Sequence, residues 1–191
     1  MFQNGHGTPF PSKEEEEVGA TTDDPDAIAA RLGLVPLPAE GGRYRRTWSG
    51  PEDASGRPAG SAILMLLTDD PDGFSALHRL PIDEVWHFYR GDSMELLLLR
   101  PDGGDELRRL GDGDGDLVQT VVTAGTWMGA RVAPGGTWSL FGTTMAPGFV
   151  PADYEGGDAD GLARRHPGRE ALIRALCRPG APTRMPEDDD R

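Results

Sequence analysis

The chain has 191 residues, 37% of them hydrophobic, with 27 glycines and 17 prolines. That length builds one domain with a proper core and is short for two, and Gly and Pro spread along it mean many turns between short elements, hence a mainly β protein. A net charge of −13 disfavours nucleic acid, whose phosphates need a basic face, and an anionic membrane surface.

Residues 1–24 carry one Lys against six acids and are expected to form a disordered tail, His6 included. The stretch "DPDAIAARLGL" offers an N-cap at Asp24, Pro25 in the first turn, apolar residues at helical spacing and Gly33 as the stop, which predicts a short helix. From there the pattern changes to strands. "RYRRTWS" (43–49) alternates, and "SAILMLLT" (61–68) is continuously apolar, as in a strand covered on both faces. After the turn "DDPDG", strands are predicted at 74–80, 84–89, 94–100, 117–123, 126–132 and 137–144, separated by "RGDS", "PDGG", "GDGDGD", "AG" and "APGG". Regular short strands with turns between them point to a sandwich or barrel.

Beyond "APGFVPADYE" the segments "DADGLARRHP" and "GREALIRALCR" read as short helices, the second with Leu172, Ile173 and Leu176 on one side. Residues 179–191 are expected to be a second loose tail, leaving 25–178 as one domain. Cys177, the single cysteine, allows no internal disulfide and is expected to be a buried, inert thiol. With no apolar run of signal-peptide or membrane-spanning length, a soluble cytoplasmic protein is expected. "GDGDGD" fails as a calcium loop: counted from Asp112, Leu117 and Thr123 stand where the loop needs Gly and Glu.

The densest chemistry lies in "HRLPIDEVWHFYRG" (78–91). Small β-barrels of the cupin superfamily carry a motif of Gly, H-x-H, a following Glu and a second Gly, in which alternate residues of one strand turn inward and converge on one ion. The present segment resembles it through Gly73, His78, Glu84 and Gly91, with Leu80 in place of the second histidine. "TAGTWM" resembles the second motif, P-x-G-x-x-H, with Thr123, Gly125 and then Met128 where the last histidine would stand. Two of four ligands remain, a poor shell for a divalent ion. No cofactor is therefore expected; an ion, if bound, would rest on His78 and Glu84. His87 would face away from Glu84, Trp86 and Phe88 in a strand of period two.

Taken together, "LGLVPLPAEGGRYRRTW", "SALHRLPIDEVWHFYRGDSMELLLL", "VVTAGTWMGARV" and "MAPGF" followed by "DYE" resemble the cupin_5, or DUF985, family over about residues 28–178. One departure is Pro38, standing where many members have histidine. The resemblance implies a double-stranded β-helix (jelly-roll) cupin barrel, here with short N- and C-terminal helices, and usually a dimer. It implies little about reaction.

His78, inward beside Glu84, is what a general base needs, since the carboxylate fixes the tautomer and raises imidazole basicity; the alternative is a hydrogen-bonded core pair. Asp83 should face the other way and cap or pair, for instance with Arg79. Glu40, before Gly41 and Gly42, is placed either at the barrel mouth or in a plain turn. Tyr44, Arg46 and Trp48 share one face of their strand. If that face lines the mouth, Tyr44 donates a proton and Arg46 holds a carboxylate or phosphate; otherwise Arg46 meets solvent or a second subunit. Trp86, Phe88, Trp127 and Trp138 form either ligand walls or core, Met128 is counted with the ligand-binding set, and Arg131 is structural or interfacial.

Two classes of function follow. One is a metal-independent enzyme of the epimerase or isomerase type, by analogy with cupins that epimerise nucleotide-linked keto-sugars, with His78 as acid/base aided by Glu84 and Tyr44. The other is a non-catalytic barrel binding a small organic molecule. A metal-dependent dioxygenase or isomerase with a reduced ligand set comes third. A homodimer is expected, because a short jelly roll must cover its sheet edges and because "SAILMLLT" and "MELLLLR" are apolar on both faces, more than one barrel interior uses.

Overall fold

A computed structural model describes residues 24–186. Most of the expected N-terminal tail, with His6, and the last five residues lie outside them. In chain order the elements are α1 (Pro25–Leu32), β1 (Val35–Pro36), β2 (Arg43–Ser49), β3 (Ser61–Thr68), β4 (Ser75–Arg79), β5 (Glu84–Gly91), β6 (Met94–Leu99), β7 (Asp105–Leu110), β8 (Gln119–Val122), β9 (Trp127–Val132), β10 (Trp138–Met145), β11 (Glu155–Gly156), α2 (Ala159–Arg165) and α3 (Glu170–Ala175). Two antiparallel sheets face each other, ordered β1-β2-β3-β10-β5-β8 and β11-β4-β9-β6-β7. The turn spacing pointed to a sandwich or barrel, and the mainly β jelly roll found here is the form of it that the family resemblance implied. Among the described residues no helix is long and apolar enough to cross a membrane.

Alternation along the strands builds the interior. Met65 and Leu67 of β3, Trp86 of β5, Leu96 and Leu98 of β6, Met128 and Ala130 of β9, and Phe141 of β10 pack between the sheets, and the Trp86 and Phe141 rings stack with centroids 4.8 Å apart. The other faces of the apolar strands are covered by the same chain. Leu66 of β3 and Trp138 lie under Ile28, Ala29 and Leu34 of the N-terminal helix and its exit. Leu97 and Leu99 of β6, with Trp127, lie under Leu162, Ile173 and Leu176. The two-sided apolar character of β3 and β6 is thus used within one chain, and does not itself call for a second copy. It also moves Trp127 and Trp138 out of the lumen, where the sequence had offered them as ligand walls.

The helices start and stop as their sequences dictate. Asp24 Oδ1 accepts the Asp26 N–H 3.0 Å away, and Gly33 closes α1 at φ 64°. Strand β7, "DELRRL", is the longest element the sequence did not signal, alongside the two-residue strands β1 and β11: it is a polar edge strand laddered to β6 with one further bridge from Leu110 to Leu117, so burial leaves little hydrophobic pattern on it. Gly91 ends β5 beside an irregularity in its ladder with β10; at φ 99°, a Cβ there would stand 2.6 Å from the Trp138 carbonyl oxygen. Arg57 forks onto Asp153 through two hydrogen bonds of 2.6 and 2.9 Å, tying the loop after β2 to the segment that follows β10.

Candidate active site

One end of the barrel opens into a cavity whose enclosed space is about 60 Å³, within about 640 Å³ of surrounding space that includes open solvent at the mouth. His78 reaches it from β4, Glu84 from the start of β5, Tyr44 and Arg46 from β2, Ser61 and Ile63 from β3, and Thr143 and Met145 from β10. Period two explains this convergence: His78 and Leu80 both line the cavity, with Arg79 between them turned outward to Glu155, 2.8 Å away.

Glu40 joins from the turn before β2. Ala39 holds a left-handed φ of 51°, and Gly41 and Gly42 follow at 92° and 65°. A Cβ on Gly41 would stand 2.7 Å from the Phe74 carbonyl oxygen, so glycine is required there. The turn aims Glu40 inward, where its Oε1 accepts the Ser75 hydroxyl at 2.6 Å. A strained alanine beside an inward carboxylate is the kind of local cost that accompanies function.

The protonation states follow from partners. His78 is 2% exposed, and its Nδ1 lies 2.8 Å from the Ala76 carbonyl oxygen. A carbonyl only accepts, so Nδ1 carries a hydrogen, and of the two neutral tautomers this selects the one whose lone pair is on Nε2. Tyr154 stacks on the imidazole, centroids 5.2 Å apart, and holds the ring plane. Glu84 is 6% exposed; its Oε2 accepts the Trp86 indole N–H at 2.9 Å. Burial pushes the Glu84 carboxyl up to about 7 and the negative charge of Glu40 adds to this, against the opposing pull of His78 and hydrogen bonds from Thr143 and Trp86. Burial, and then Glu40, likewise push the Tyr154 phenol upward. The cavity therefore holds a carboxyl pushed up to about 7, an imidazole whose Nδ1 hydrogen is committed to the Ala76 carbonyl, and a phenol pushed upward.

The arrangement does not fit a metal. Leu80 fills the place of one expected histidine, and Met128, the Cα partner of His78 across the ladder, fills the other. Glu40 is engaged by Ser75, and among the described residues no three His, Cys, Asp or Glu side chains cluster as ion ligands. His87 lies on the outer face: Gln119 Nε2 donates to its Nδ1, and its Nε2 contacts Thr144 Oγ1, both at 2.9 Å.

Of the residues singled out in the sequence, His78, Glu84, Tyr44, Arg46 and Glu40 line the cavity, whereas Trp86, Phe88 and Met128 do not. Trp86 and Met128 share the inward face but are packed in the core, and Phe88 packs against that core farther along the strand; alternation gives a face, not a position along the barrel. Asp83 accepts the Ala124 N–H at 2.8 Å, while Arg79 pairs with Glu155 and covers Trp127 at 4.8 Å. Arg131 pairs with Glu95 outside the lumen. Sequence reasoning missed Tyr154, Thr143, Phe149 and Met185, all in the lining. Thr143 was reachable by counting in steps of two from Phe141; the others arrive from irregular segments.

A family model described as Cupin superfamily (DUF985) matches residues 26–156. No curated protein matches the chain. Among solved structures, the chain is similar to an X-ray structure of a protein from Shewanella oneidensis, with 29% identity, a TM-score of 0.75 and coverage of 83% of this chain and 99% of that one. It is similarly close to a hypothetical protein from Leishmania major, 29% identical with a TM-score of 0.69, covering 80% and 97%. A cupin 2 domain-containing protein from Halorhodospira halophila, 19% identical with a TM-score of 0.50 and coverage of 72% and 83%, shares the fold. The chain belongs to the DUF985 family of the cupin superfamily.

Proposed function

We propose that the cavity binds a small organic molecule carrying a carbonyl group and that the protein moves a proton on it without a metal, as an isomerase or epimerase does. The observation that carries this reading is the placement of Glu84, an acid pushed up to about 7, and His78, a base with its Nδ1 hydrogen already committed, in the same buried cavity. His78 Nε2 takes the proton from the carbon next to the carbonyl, and Glu84 donates a hydrogen bond to the carbonyl oxygen as negative charge develops there. In isomerisation His78 returns the proton to the neighbouring carbon and is free again. In epimerisation Tyr44 gives its proton to the opposite face of the same carbon, after which His78 loses its proton to solvent and Tyr44 regains one. Arg46 draws a carboxylate or phosphate of the ligand to the wall and Tyr44 supplies a second hydroxyl donor. The single cysteine fits the cytoplasm as the place of action.

The test is solvent exchange. The metal-chelated protein is incubated in D2O with ketoses, nucleotide-linked keto-sugars and 2-oxo acids, and loss of the proton next to the carbonyl is followed by proton NMR. The reading expects exchange into at least one class, abolished in His78→Ala and kept in Asp114→Ala, a change in the exposed turn after β7. Exchange that His78→Ala leaves intact overturns it, and so does exchange lost on chelation. Tight binding with no exchange in any class would leave a binding barrel.

For assembly we propose a homodimer through the outer face of β5 and β8, where Tyr89, Val118 and Val121 are 52%, 64% and 47% exposed. Tyr89 of β5, Val121 of β8 and Val118 just before β8 are exposed apolar side chains on a face that they share with His87, Gln119 and Thr144, and a second copy would cover them.

A further inference from the structure

One wall of the cavity comes from a segment far along the chain. The family match ends at residue 156, yet Met185 lines the cavity and is only 8% exposed, packed in the same core cluster as Tyr154. Residues 178–186 have no regular structure. They run beside β11, where Gly156 N–H donates to the Thr183 carbonyl at 2.9 Å and a Cβ on Gly156 would stand 3.1 Å from Thr183 Cα. Since Gly156 pairs with His78 on its other side, the segment lies one strand away from the base.

The attachments are few. Arg178 reaches Asp72 at 2.7 Å, an ion pair whose acid is 82% exposed, and such a pair contributes little. Pro179, Pro182 and Pro186 punctuate the segment, and proline has no N–H to give a ladder, so it cannot extend the sheet as a full strand. Among the described residues, the hydrogen bond to Gly156 and the buried Met185 side chain hold the far end of the segment against the cavity. Methionine is unbranched and adapts its shape to what it touches. A weakly held segment with one buried side chain opens locally far more readily than the barrel unfolds.

We propose that residues 178–186 are a specificity element of the cavity: Met185 supplies part of its wall and narrows the way from the mouth to His78 and Glu84, so its bulk sets the size admitted. The bound molecule is then amphipathic, with its polar group toward His78 and Glu84 and an apolar part against Met185, Phe149 and Leu37. The inference rests on the cavity being the ligand site proposed above.

The experiment reads access without any ligand. Diethyl pyrocarbonate acylates an imidazole lone pair, and peptide mapping by mass spectrometry gives a separate rate for each histidine. In the full chain, Met185→Ala raises the rate at His78 by about tenfold, as lost closing contact shifts a fast opening equilibrium. Met185→Leu, which refills the volume, stays near the wild-type rate. His87, on the outer face, is the internal reference and keeps its rate in all three proteins. Equal His78 rates in the wild type and Met185→Ala overturn the proposal, and so does a parallel rise at His87, which would mean general loosening. Because no substrate enters this assay, its failure is distinct from failure of the solvent-exchange test.

Discussion

Replacing Glu84 with glutamine isolates the cost of holding a carboxyl in this cavity. In the unfolded chain the group titrates near its usual 4.5, and in the folded protein burial, with Glu40, pushes it up to about 7. Below the lower value both states hold the proton and the group adds no pH dependence. Between the two values the unfolded chain releases its proton while the folded chain keeps it, so the folded state binds more protons and stability falls as pH rises. Above the upper value the loss is complete. Each pH unit of that interval is worth about 1.36 kcal/mol, so the full loss is about 3 kcal/mol. Glutamine has the shape of the protonated acid, can still accept the Trp86 N–H, and does not titrate. Urea unfolding of both proteins from about pH 4 to about pH 8 cancels every other group, provided both unfold in two states. The variant gains about 3 kcal/mol on the wild type across that range. A difference that stays flat, or a wild type that gains on the variant as pH rises, refutes the reasoning.

Two other outcomes follow from the structure. Arg57→Ala leaves Asp153, whose side chain is 7% exposed, without its bidentate partner; losing a half-buried charge-assisted pair costs about 2 kcal/mol, read as a lowered Tm in calorimetry, and a Tm within a degree or so of wild type would contradict it. Tyr89→Glu combined with Val121→Glu puts charge on the exposed face of β5 and β8; light scattering at micromolar concentration changes from dimer mass to monomer mass, and a wild type that is already a clean monomer refutes the interface.

What the sequence made legible was local. The runs 43–49 and 61–68 appear in the structure with those bounds, because alternation and continuous apolarity are direct images of one-sided and two-sided burial. His78 and Glu84 could be placed together because each opens or occupies a strand whose period is two. The direction of Glu40 is not legible, since it depends on a positive φ at Ala39, a residue type that does not announce one. Position along the barrel was not legible: Glu84, Trp86 and Phe88 alternate identically, yet Glu84 faces the cavity and Trp86 is sealed against Phe141. Nor were Tyr154 and Met185, because nothing local in "DYE" or "TRMP" says which distant wall they join. The excess apolar residues of β3 and β6, read as a dimer signal, belong instead to α1, α2 and α3 of the same chain.

The central claim, an acid near neutrality facing a base in one cavity, is tested most directly by carbon-13 NMR of protein labelled at the glutamate side-chain carboxyl. The resonance missing from Glu84→Gln identifies the site. Its titration midpoint at about 7 is the predicted result; a midpoint at the usual 4.5 would leave an ordinary carboxylate there and contradict the account.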